Sequence, residues 1–386
     1  MIMATLLTPW AAQTGHDHGR MAGVRVLLAP DCFSGTLSAP EAAQALADGW
    51  RRARQGDEVV LQPLSDGGPG FLDALPGTPV TVLVEDPLAR PTLAELHLDG
   101  TTAYVEAAQA AGLHLLDLAD RDPGVTTTYG VGQLVRTAVE AGATRVVLGL
   151  GGTATNDGGA GLLAALGVRR EDAAGERLGP GGLALAGAAR LVGRPLQVEL
   201  VAATDVDNPL LGPLGASQVF GPQKGASPAQ VAALDAALER WADLVEQHLG
   251  PAARDLPGAG AAGGLGFAVL ALGGSRVPGF DVVAAAVGLS AQVAAADLVV
   301  TGEGRLDGQS ARGKVVGGVA GLALEHGVPC VAVAGEVLLG RREAGAIGLA
   351  ETWSLVDHAG HRALTDAAAV VSEVAEHVAR SWAAAQ

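Results

Sequence analysis

Short aliphatic runs alternate with glycine- or aspartate-rich turns and with stretches of helical spacing along most of the chain. The runs predict buried β-strands at 24–29, 59–64, 145–150, 198–204, 297–301 and 328–334. The stretches between them predict helices, among them 130–141, 160–166, 228–248 and 315–326. Strands that alternate with helices predict an α/β protein with parallel sheets, whose ligand loops lie at the carboxyl ends of the strands.

The first helix has a clear start signal. Ser38 is a typical N-cap, and Glu41 follows three residues later, as a capping box requires. Ala42, Leu46 and Trp50 then recur at helical spacing. We therefore predict a helix that begins after Ser38.

The pattern changes between residues 80 and 107. Short strands at 80–84, 93–98 and 103–106 are separated by brief turns, which favours antiparallel pairing. This insert predicts a second domain with a mixed sheet. The first and last parts of the chain are then expected to form one domain that the middle part interrupts.

The composition of the chain argues against several classes of partner and of protein. A net charge of −16 argues against nucleic acid or an anionic membrane as the main partner. The longest weakly polar stretch, 259–274, is too short and too glycine-rich for a membrane span. Cys32 and Cys330 cannot form a disulfide framework, so reduced thiols in a cytoplasmic protein are expected.

Five glycine-rich polar segments each follow a predicted strand. They are residues 29–38, 64–68, 149–161, 203–208 and 301–308. A single turn of this kind is ordinary, but five at the ends of buried strands predict a shared cleft. Of the five, the segment 149–161 gives the strongest indication of a binding loop. Its glycines expose backbone N–H groups, Thr153 and Thr155 add hydroxyl donors, and a helix follows. We interpret it as a phosphate or substrate loop rather than a plain strand–helix connection.

The chain has only two lysines, and both lie in glycine-framed loops. They are Lys224 and Lys314, whereas the remaining basic residues are arginines. A compact ammonium and a broad planar guanidinium do not replace one another at a phosphate. Residues 308–314 match the first part of a P-loop, but Val315 stands where Ser or Thr would hold Mg²⁺, so a true P-loop is excluded.

Carboxylates supply the remaining candidate chemistry. Asp205 and Asp207 follow a strand, and one of them is expected to act as a Mg²⁺ ligand or a base, although turn-capping aspartates fit equally well. Glu303 and Asp307 are similar candidates. Several carboxylates, two lysines and many backbone donors together favour phosphoryl transfer, in which catalysis is mainly positioning and charge neutralisation.

These segments resemble the glycerate kinase type-1 family, the bacterial glycerate 2-kinases, from about Val24 almost to the C-terminus. The resemblance rests on Ala-Pro-Asp31, Gly35-Thr-Leu-Ser38, Asp66-Gly-Gly68, the run 151–159, the run 205–209, Gly221-Pro-Gln-Lys-Gly225, the run 301–309 and Gly313-Lys314. It implies an ATP- and Mg²⁺-dependent kinase that phosphorylates D-glycerate, generally to 2-phosphoglycerate. It also implies two α/β domains, one of them Rossmann-like, with the active site in the cleft between them.

The implied organisation begins with a loose extension at 1–22. Residues 23–78 and 290–386 would form the Rossmann-like domain with its parallel sheet, and residues 79–289 would form the second α/β domain with a mixed sheet. The partner would be a small molecule, D-glycerate, and neither nucleic acid nor membrane. The sequence does not fix whether the chain forms a homodimer, nor which hydroxyl group of glycerate is phosphorylated.

Roles are assigned to residues within this hypothesis. Asp205 would accept the substrate proton, and Lys224 and Lys314 would neutralise charge on the phosphoryl group. Mg²⁺ would be held by one or two of Asp157, Asp205, Asp207 and Glu303. The substrate and the phosphates would be bound by Asp31, Ser34, Asp66, Gly67, Gly68, Gly151, Gly152, Thr153, Thr155, Asn156, Gly302, Glu303 and Arg305.

Three positions depart from the family pattern. Ser34 stands where a lysine is usual, and Pro69 and Phe71 stand where Glu and Thr are usual. The missing lysine removes an anion contact, which predicts weaker activity, a shifted substrate or a role taken over by an arginine.

Two other functions stay open. A nicotinamide-dependent oxidoreductase would use residues 149–161 and would need an acid about twenty positions beyond the loop, where Glu171 and Asp172 lie. A non-catalytic small-molecule binder derived from a kinase would account for Ser34 and Pro69.

Overall fold

The computed structural model describes residues 23–33, 35–308, 310 and 314–385. The predicted extension at 1–22 and the candidate Ser34 lie outside the described residues. The chain forms two compact units. Among the described residues, those from 23 to 63 together with those from Ser290 onward form unit 1, and Leu64–Leu289 form unit 2. The first unit boundary thus falls after Pro63 rather than after residue 78, because residues 64–72 pack on strands of unit 2.

Unit 1 contains a five-stranded sheet. Its strands are β1 (Arg25–Pro30), β2 (Glu58–Leu61), β11 (Leu298–Leu306), β12 (Cys330–Val337) and β13 (Glu351–Ser354). They lie in the order β13-β12-β11-β1-β2, and every pair of neighbouring strands is parallel. Its helices are α1 (Ala39–Ala53), α10 (Val315–His326), α11 (Arg341–Ala346), α12 (Leu355–Ala359), α13 (Arg362–Thr365) and α14 (Ala367–Ala385). The parallel sheet confirms the α/β prediction.

The core of unit 1 explains these elements. Trp50 and Leu46 of α1 pack with Val26 and Leu28 of β1 and with Val374 of α14. The strand β1 is buried along almost its whole length, which accounts for its continuous aliphatic run. The predicted capping box is present, since the Ser38 amide donates to Glu41 Oε2 at 2.8 Å and the Glu41 amide donates to Ser38 Oγ at 3.4 Å.

One predicted loop is part of a strand. We expected residues 301–308 to be a loop, but β11 continues to Leu306. The reason is the neighbouring strand, because Glu303 pairs with Ala334 and Leu306 pairs with Val337. A Cβ on Gly335 would lie 2.4 Å from the carbonyl oxygen of Gly304, so glycine permits the close approach of these two strands.

Unit 2 contains a six-stranded mixed sheet. Its strands are β3 (Thr78–Glu85), β4 (Pro91–Asp99), β5 (Thr102–Glu106), β6 (Arg145–Gly149), β9 (Glu199–Ala203) and β10 (Ser275–Val277). They lie in the order β10-β9-β6-β5-β4-β3. The strands β3, β4 and β5 pair antiparallel, while β5, β6, β9 and β10 pair parallel. This confirms the antiparallel insert and the mixed sheet. A separate antiparallel pair is formed by β7 (Arg169–Glu171) and β8 (Arg190–Val192).

Helices and a large core surround the sheet of unit 2. The helices are α2 (Ala108–Ala111), α3 (Tyr129–Glu140), α4 (Ala160–Ala165), α5 (Ala216–Phe220), α6 (Pro228–Leu249), α7 (Leu265–Ala271) and α8 (Gly279–Ala286), while α9 (Leu289–Ala294) spans the boundary of the two units. Leu96, Leu134, Leu148, Trp241 and Phe267 are fully buried members of the core. Among the described helices, none combines the length and the apolar character that a membrane crossing requires.

Candidate active site

The carboxyl ends of three neighbouring strands form one edge of the sheet in unit 2. Glu106 of β5 pairs with Gly149 of β6, and Gly149 pairs with Ala203 of β9. Because these strands are parallel, the segments that follow them leave the sheet at the same edge. Such an edge is where open parallel sheets bind ligands. We therefore take it as the candidate active site of unit 2.

A glycine-rich loop, residues 64–72, lies across this edge. Gly67 has a φ of +94°, and a Cβ there would lie 2.7 Å from the carbonyl oxygen of Ala203. The Gly151 amide donates to the carbonyl oxygen of Gly67 at 3.0 Å, and a Cβ on Gly151 would lie 2.4 Å from the Cα of Gly68. A larger residue at either position would force the backbones apart. The fold thus brings the predicted segments 64–68 and 149–152 together.

Asp205 lies just beyond the end of β9. Its Oδ1 accepts a hydrogen bond from the Gly279 amide at 3.1 Å, whereas its buried Oδ2 has no hydrogen-bond partner among the described residues. Burial raises the pKa of Asp205 to about 6, and the negative charge of Asp66 adds to that rise. A carboxylate with a raised pKa and an unused oxygen at a sheet edge is a candidate acid or base.

Asp66 is held close to Asp205 through backbone packing. The Asp66 Oδ1 accepts from the Gly68 amide at 3.2 Å. A Cβ on Gly279 would lie 1.8 Å from the carbonyl oxygen of Asp66, so the start of α8 lies directly on this loop. Since Gly279 also donates to Asp205, the two predicted site residues share one neighbour.

Glu106 was not predicted as a site residue. Its side chain is 3% exposed, and its Oε2 accepts from the Gly70 amide at 3.1 Å and from the Leu72 amide at 3.4 Å. Burial raises the pKa of Glu106 to about 7. The signal that could have identified it is an acidic residue at the end of an otherwise apolar strand, directly before the segment 107–111.

The predicted phosphate loop 149–161 is mostly interior. Gly152 is exposed and Gly151 is half-buried, but the stretch from Thr153 to Asp157 is buried. The Asn156 Nδ2 donates to Ser217 Oγ at 2.9 Å. Only the first glycines of this segment therefore reach the candidate site in this structure, while Thr153, Thr155 and Asn156 lie beneath it.

Asp157 accepts hydrogen bonds from the starts of two helices, α3 and α4. Its carboxylate accepts from the Thr128 amide at 2.9 Å and from the Gly159 and Gly161 amides, each at 3.1 Å. The Thr128 hydroxyl donates to it as well, at 3.0 and 3.1 Å. Asp157 thus caps the first turn of α4 and joins it to the start of α3.

Lys224 is 2% exposed and lies beside the same segment. Its Nζ donates to the carbonyl oxygen of Thr155 at 2.6 Å and to Thr153 Oγ1 at 3.4 Å. Burial lowers the pKa of Lys224 from 10.5 to about 7, while the nearby negative charge of Asp157 opposes that fall. The Thr155 hydroxyl and the Asn156 Oδ1 are buried without a hydrogen-bond partner among the described residues. In this structure Lys224 therefore supports the glycine loop from below.

Within unit 2, the candidate metal ligands Asp157, Asp205 and Asp207 do not form one group among the described residues. Asp207 is exposed and forms an ion pair with Arg276 at 2.7 Å, and Asp157 is enclosed by hydrogen-bond donors. Glu303 belongs to unit 1. Across residues 23–33, 35–308, 310 and 314–385, no group of three or more His, Cys, Asp or Glu side chains is placed to hold a metal ion.

Unit 1 carries the remaining candidates. The Asp31 amide donates to the carbonyl oxygen of Gly302 at 2.8 Å, which joins the ends of β1 and β11. Glu303 is 8% exposed, whereas Arg305 is exposed and forms an ion pair with Glu336 at 3.3 Å. Lys314 is half-buried and is the N-cap residue of α10.

Two departures from the family pattern lie in the loop at the site. A Cβ on Gly152 would lie 2.6 Å from the Pro69 Cγ, so the proline ring lies against this glycine. Phe71 is fully buried, and a Cβ on Gly149 would lie 2.7 Å from its ring. Both side chains therefore pack the loop on the sheet edge.

Comparisons with known proteins agree on one family. The sequence model of the glycerate kinase family matches residues 26–383 of this chain. A glycerate kinase of Bacillus subtilis (strain 168) is 42% identical over 376 residues, covering 94% of this chain and 97% of that protein. A glycerate 2-kinase of Escherichia coli (strain K12) is 41% identical over 326 residues, covering 81% of this chain and 86% of that protein.

A solved structure has the same fold. It is the "crystal structure of putative glycerate kinase 2 from Salmonella typhimurium LT2", with a TM-score of 0.80 and 39% sequence identity. The match covers 94% of this chain and 99% of that chain. The similarity therefore extends through both units.

Proposed function

The chain belongs to the glycerate kinase family, and we propose that it transfers the γ-phosphoryl group of ATP to D-glycerate to form 2-phosphoglycerate. Family membership makes the protein a kinase of glycerate. The name of the Escherichia coli relative, a glycerate 2-kinase, supports transfer to the 2-hydroxyl group. We also propose a cytoplasmic location, which the two free cysteines Cys32 and Cys330 support.

The observation that supports this proposal most strongly is the Asp205 carboxylate at the edge of the sheet in unit 2. A kinase needs a carboxylate that orients the attacking hydroxyl group and accepts its proton. Asp205 has one oxygen fixed by Gly279 and a second oxygen without a partner among the described residues, and its pKa is raised to about 6. It therefore remains ionised at neutral pH while being basic enough to accept a proton.

We propose that Mg²⁺ binds at this edge. Asp66 and Asp205 place two carboxyl groups close enough that the charge of Asp66 raises the pKa of Asp205. A kinase-bound Mg²⁺ is held largely by phosphate oxygens and needs only one or two protein carboxylates, so a cluster of three acids is not required. When bound with ATP, the ion would supply charge neutralisation at the phosphates, and Asp66 is the side chain that we propose for contact with it.

Backbone groups and lysines complete the proposed arrangement. We propose that Gly67, Gly68, Gly151 and Gly152 shape the floor on which the substrate lies. Lys224, Thr153, Thr155, Asn156 and Asp157 would fix this floor from the interior. Asp31, Gly302, Glu303, Arg305 and Lys314 of unit 1 remain the predicted phosphate-binding residues.

A nicotinamide-dependent oxidoreductase fits the geometry less well. The ribose-binding acid of such an enzyme stands at the end of the next parallel strand of the same sheet. Here Glu171 ends β7, which pairs with β8 in an antiparallel ribbon separate from the six-stranded sheet, and its Oε2 accepts a hydrogen bond from Arg190 Nε at 2.8 Å. The acid at the predicted spacing is therefore not at the edge where a cofactor on 149–161 would need it.

The melting temperature with and without ligands distinguishes a kinase from an oxidoreductase, and ADP release distinguishes a kinase from a non-catalytic binder. We expect MgATP to raise the melting temperature and NAD to leave it unchanged, since only a ligand that binds the folded state stabilises it. ADP release should then require D-glycerate. A kinase-derived binder without catalysis would instead show stabilisation by MgATP but no ADP release with D-glycerate.

Lys314→Arg provides a prediction for unit 1. The Lys314 carbonyl oxygen accepts from the Gly318 amide at 2.9 Å, and this backbone cap survives the substitution. We expect a stability change within about 0.5 kcal/mol, as for most substitutions away from the core. Because a planar fork does not reproduce a compact ammonium at a phosphate, we expect kcat to fall at least about tenfold.

The control for this variant is Arg341→Lys, an exposed change at the start of α11. Steady-state kinetics and thermal unfolding of both variants check the prediction. Unchanged turnover in Lys314→Arg would remove Lys314 from the phosphate-binding set.

A further inference from the structure

A buried acid at the edge of the sheet in unit 2 has no part in the proposed reaction. Glu106 is the last residue of β5 and lies beside Gly149. Its side chain is 3% exposed, and no ion pair of the described residues includes it. Burying a carboxyl group without a cation is costly, so its hydrogen bonds need a reason.

The two hydrogen bonds of Glu106 go to one loop. Its Oε2 accepts from the amides of Gly70 and Leu72, at 3.1 and 3.4 Å. The same loop is held a second time where the Gly151 amide donates to the Gly67 carbonyl oxygen at 3.0 Å. The segment from Gly67 to Leu72 is therefore attached at its first residue to Gly151, two residues beyond β6, and near its end to Glu106 of β5.

Asp66 directly precedes this doubly attached segment. The Oδ1 of Asp66 accepts a hydrogen bond from the Gly68 amide at 3.2 Å. The Asp66 backbone lies against Gly279, whose amide donates to Asp205 Oδ1 at 3.1 Å. The loop is rich in glycine, so it has little stiffness of its own. An external anchor is then needed to keep Asp66 in one place.

We infer that Glu106 is a positioning residue of the phosphoryl transfer: its side chain anchors the Gly70 and Leu72 amides and thereby holds Asp66 and the glycine loop beside Asp205. This inference rests on the proposed function. Burial, with the like charge of Asp73 as a further cause, raises the pKa of Glu106 to about 7, while the backbone hydrogen bonds oppose that rise. In both its neutral and its ionised form, Glu106 retains an oxygen that can accept the hydrogen bonds of the two amides.

Two variants separate the effect of the side-chain length at residue 106 from the effect of its charge. Glu106→Gln keeps the side-chain length and an acceptor oxygen but loses the charge. Glu106→Asp keeps the charge but draws the acceptor back by one methylene, about 1.5 Å. A positioning role predicts kcat within about threefold of the wild type for Gln, and a fall of about 10- to 100-fold for Asp, because a misplacement of about 1 Å has effects of that size.

Hydrogen exchange provides a readout that does not depend on turnover. In Glu106→Asp, we expect the amides of Gly70 and Leu72 to exchange at least about tenfold faster than in the wild type, since they lose their buried acceptor. The control is Glu95→Asp, the same shortening on β4, where Glu95 forms a partly exposed ion pair with His97. It should change neither kcat nor the exchange of residues 64–72.

The outcomes are distinct. Wild-type kcat in Glu106→Asp, at a temperature where the variant is folded, would overturn the inference, and so would a loss in Glu106→Gln equal to that in Glu106→Asp. Lower stability of both variants with kcat unchanged would reduce Glu106 to a structural residue and also overturn it. If the wild-type protein itself does not phosphorylate glycerate, the proposed function fails, and the exchange data then test the anchor alone.

Discussion

Asp205→Asn is expected to lower kcat/KM for glycerate by at least about 100-fold, because general-base catalysis typically contributes 10²- to 10⁴-fold. The amide oxygen of Asn can still accept from the Gly279 amide, so the loop geometry is retained. What is lost is the oxygen that would accept the proton of the substrate. Steady-state kinetics over a range of glycerate concentrations measure the effect.

Asp207→Asn is the matched comparison for this variant. Asp207 is two residues further along the chain, but it is exposed and bonded to Arg276. Since the structure separates the two aspartates in this way, we expect Asp207→Asn to change kcat/KM by less than about threefold, as for most exposed positions. Equal losses in both variants would contradict the assignment of the base to Asp205.

The raised pKa of Asp205 also predicts two dependences on pH. Activity should fall as the pH decreases below about 6, since the base becomes protonated there. The folded-state pKa of about 6 lies above the ordinary value of 3.8, so ionisation of Asp205 opposes folding as the pH rises through this window. Asp205→Asn should therefore be more stable than the wild type above pH 6, and the difference should vanish below about pH 4, where the carboxyl is protonated in both states. Unfolding by urea at the two pH values tests the sign.

The largest effect on stability is expected for Asp157→Asn. Its carboxylate accepts from the amides of Thr128, Gly159 and Gly161 and from the Thr128 hydroxyl. An Asn side chain turns an NH₂ group toward at least one of these donors and removes the charge. We expect the free energy of unfolding to fall by about 3–5 kcal/mol, as when one partner of a buried charged network is removed.

Urea unfolding, followed by hydrogen exchange of the segment 128–161, measures this loss in the unit that contains Asp157. The control is Asp172→Asn, where the carboxylate also accepts two amides, those of Ala174 and Glu176, but at an exposed turn. Its cost should stay below about 1 kcal/mol. Unchanged stability of Asp157→Asn together with an altered Mg²⁺ requirement would show that Asp157 is a metal ligand instead of an interior cap.

The strands and helices could be predicted because their signals are local. The capping box of Ser38 and Glu41 and the helical spacing up to Trp50 lie within one short stretch, and α1 follows them. The extension of β11 to Leu306, in contrast, depends on pairing with β12 and has no local signal in residues 301–308. Local glycines there indicated a loop, whereas the close approach of Gly304 and Gly335 places them in adjacent strands.

The convergence of several predicted segments could be predicted from the sequence, whereas the roles of their residues stay predictions. The segments after β6 and β9 and the loop of Asp66 do meet at one edge. The burial of Lys224 could not be seen, because it depends on contacts with Thr153 and Thr155 far along the chain. Glu106 was missed for the same reason, since the amides that it accepts lie more than thirty residues earlier.

The most direct test of the account uses the wild-type protein with D-glycerate, ATP and Mg²⁺, coupled to enolase with and without phosphoglycerate mutase. We predict a signal with enolase alone, because enolase consumes 2-phosphoglycerate directly. A signal that requires the mutase would show phosphorylation of the 3-hydroxyl group and contradict the proposed product. No signal in either assay would contradict the assignment of glycerate kinase activity to this chain.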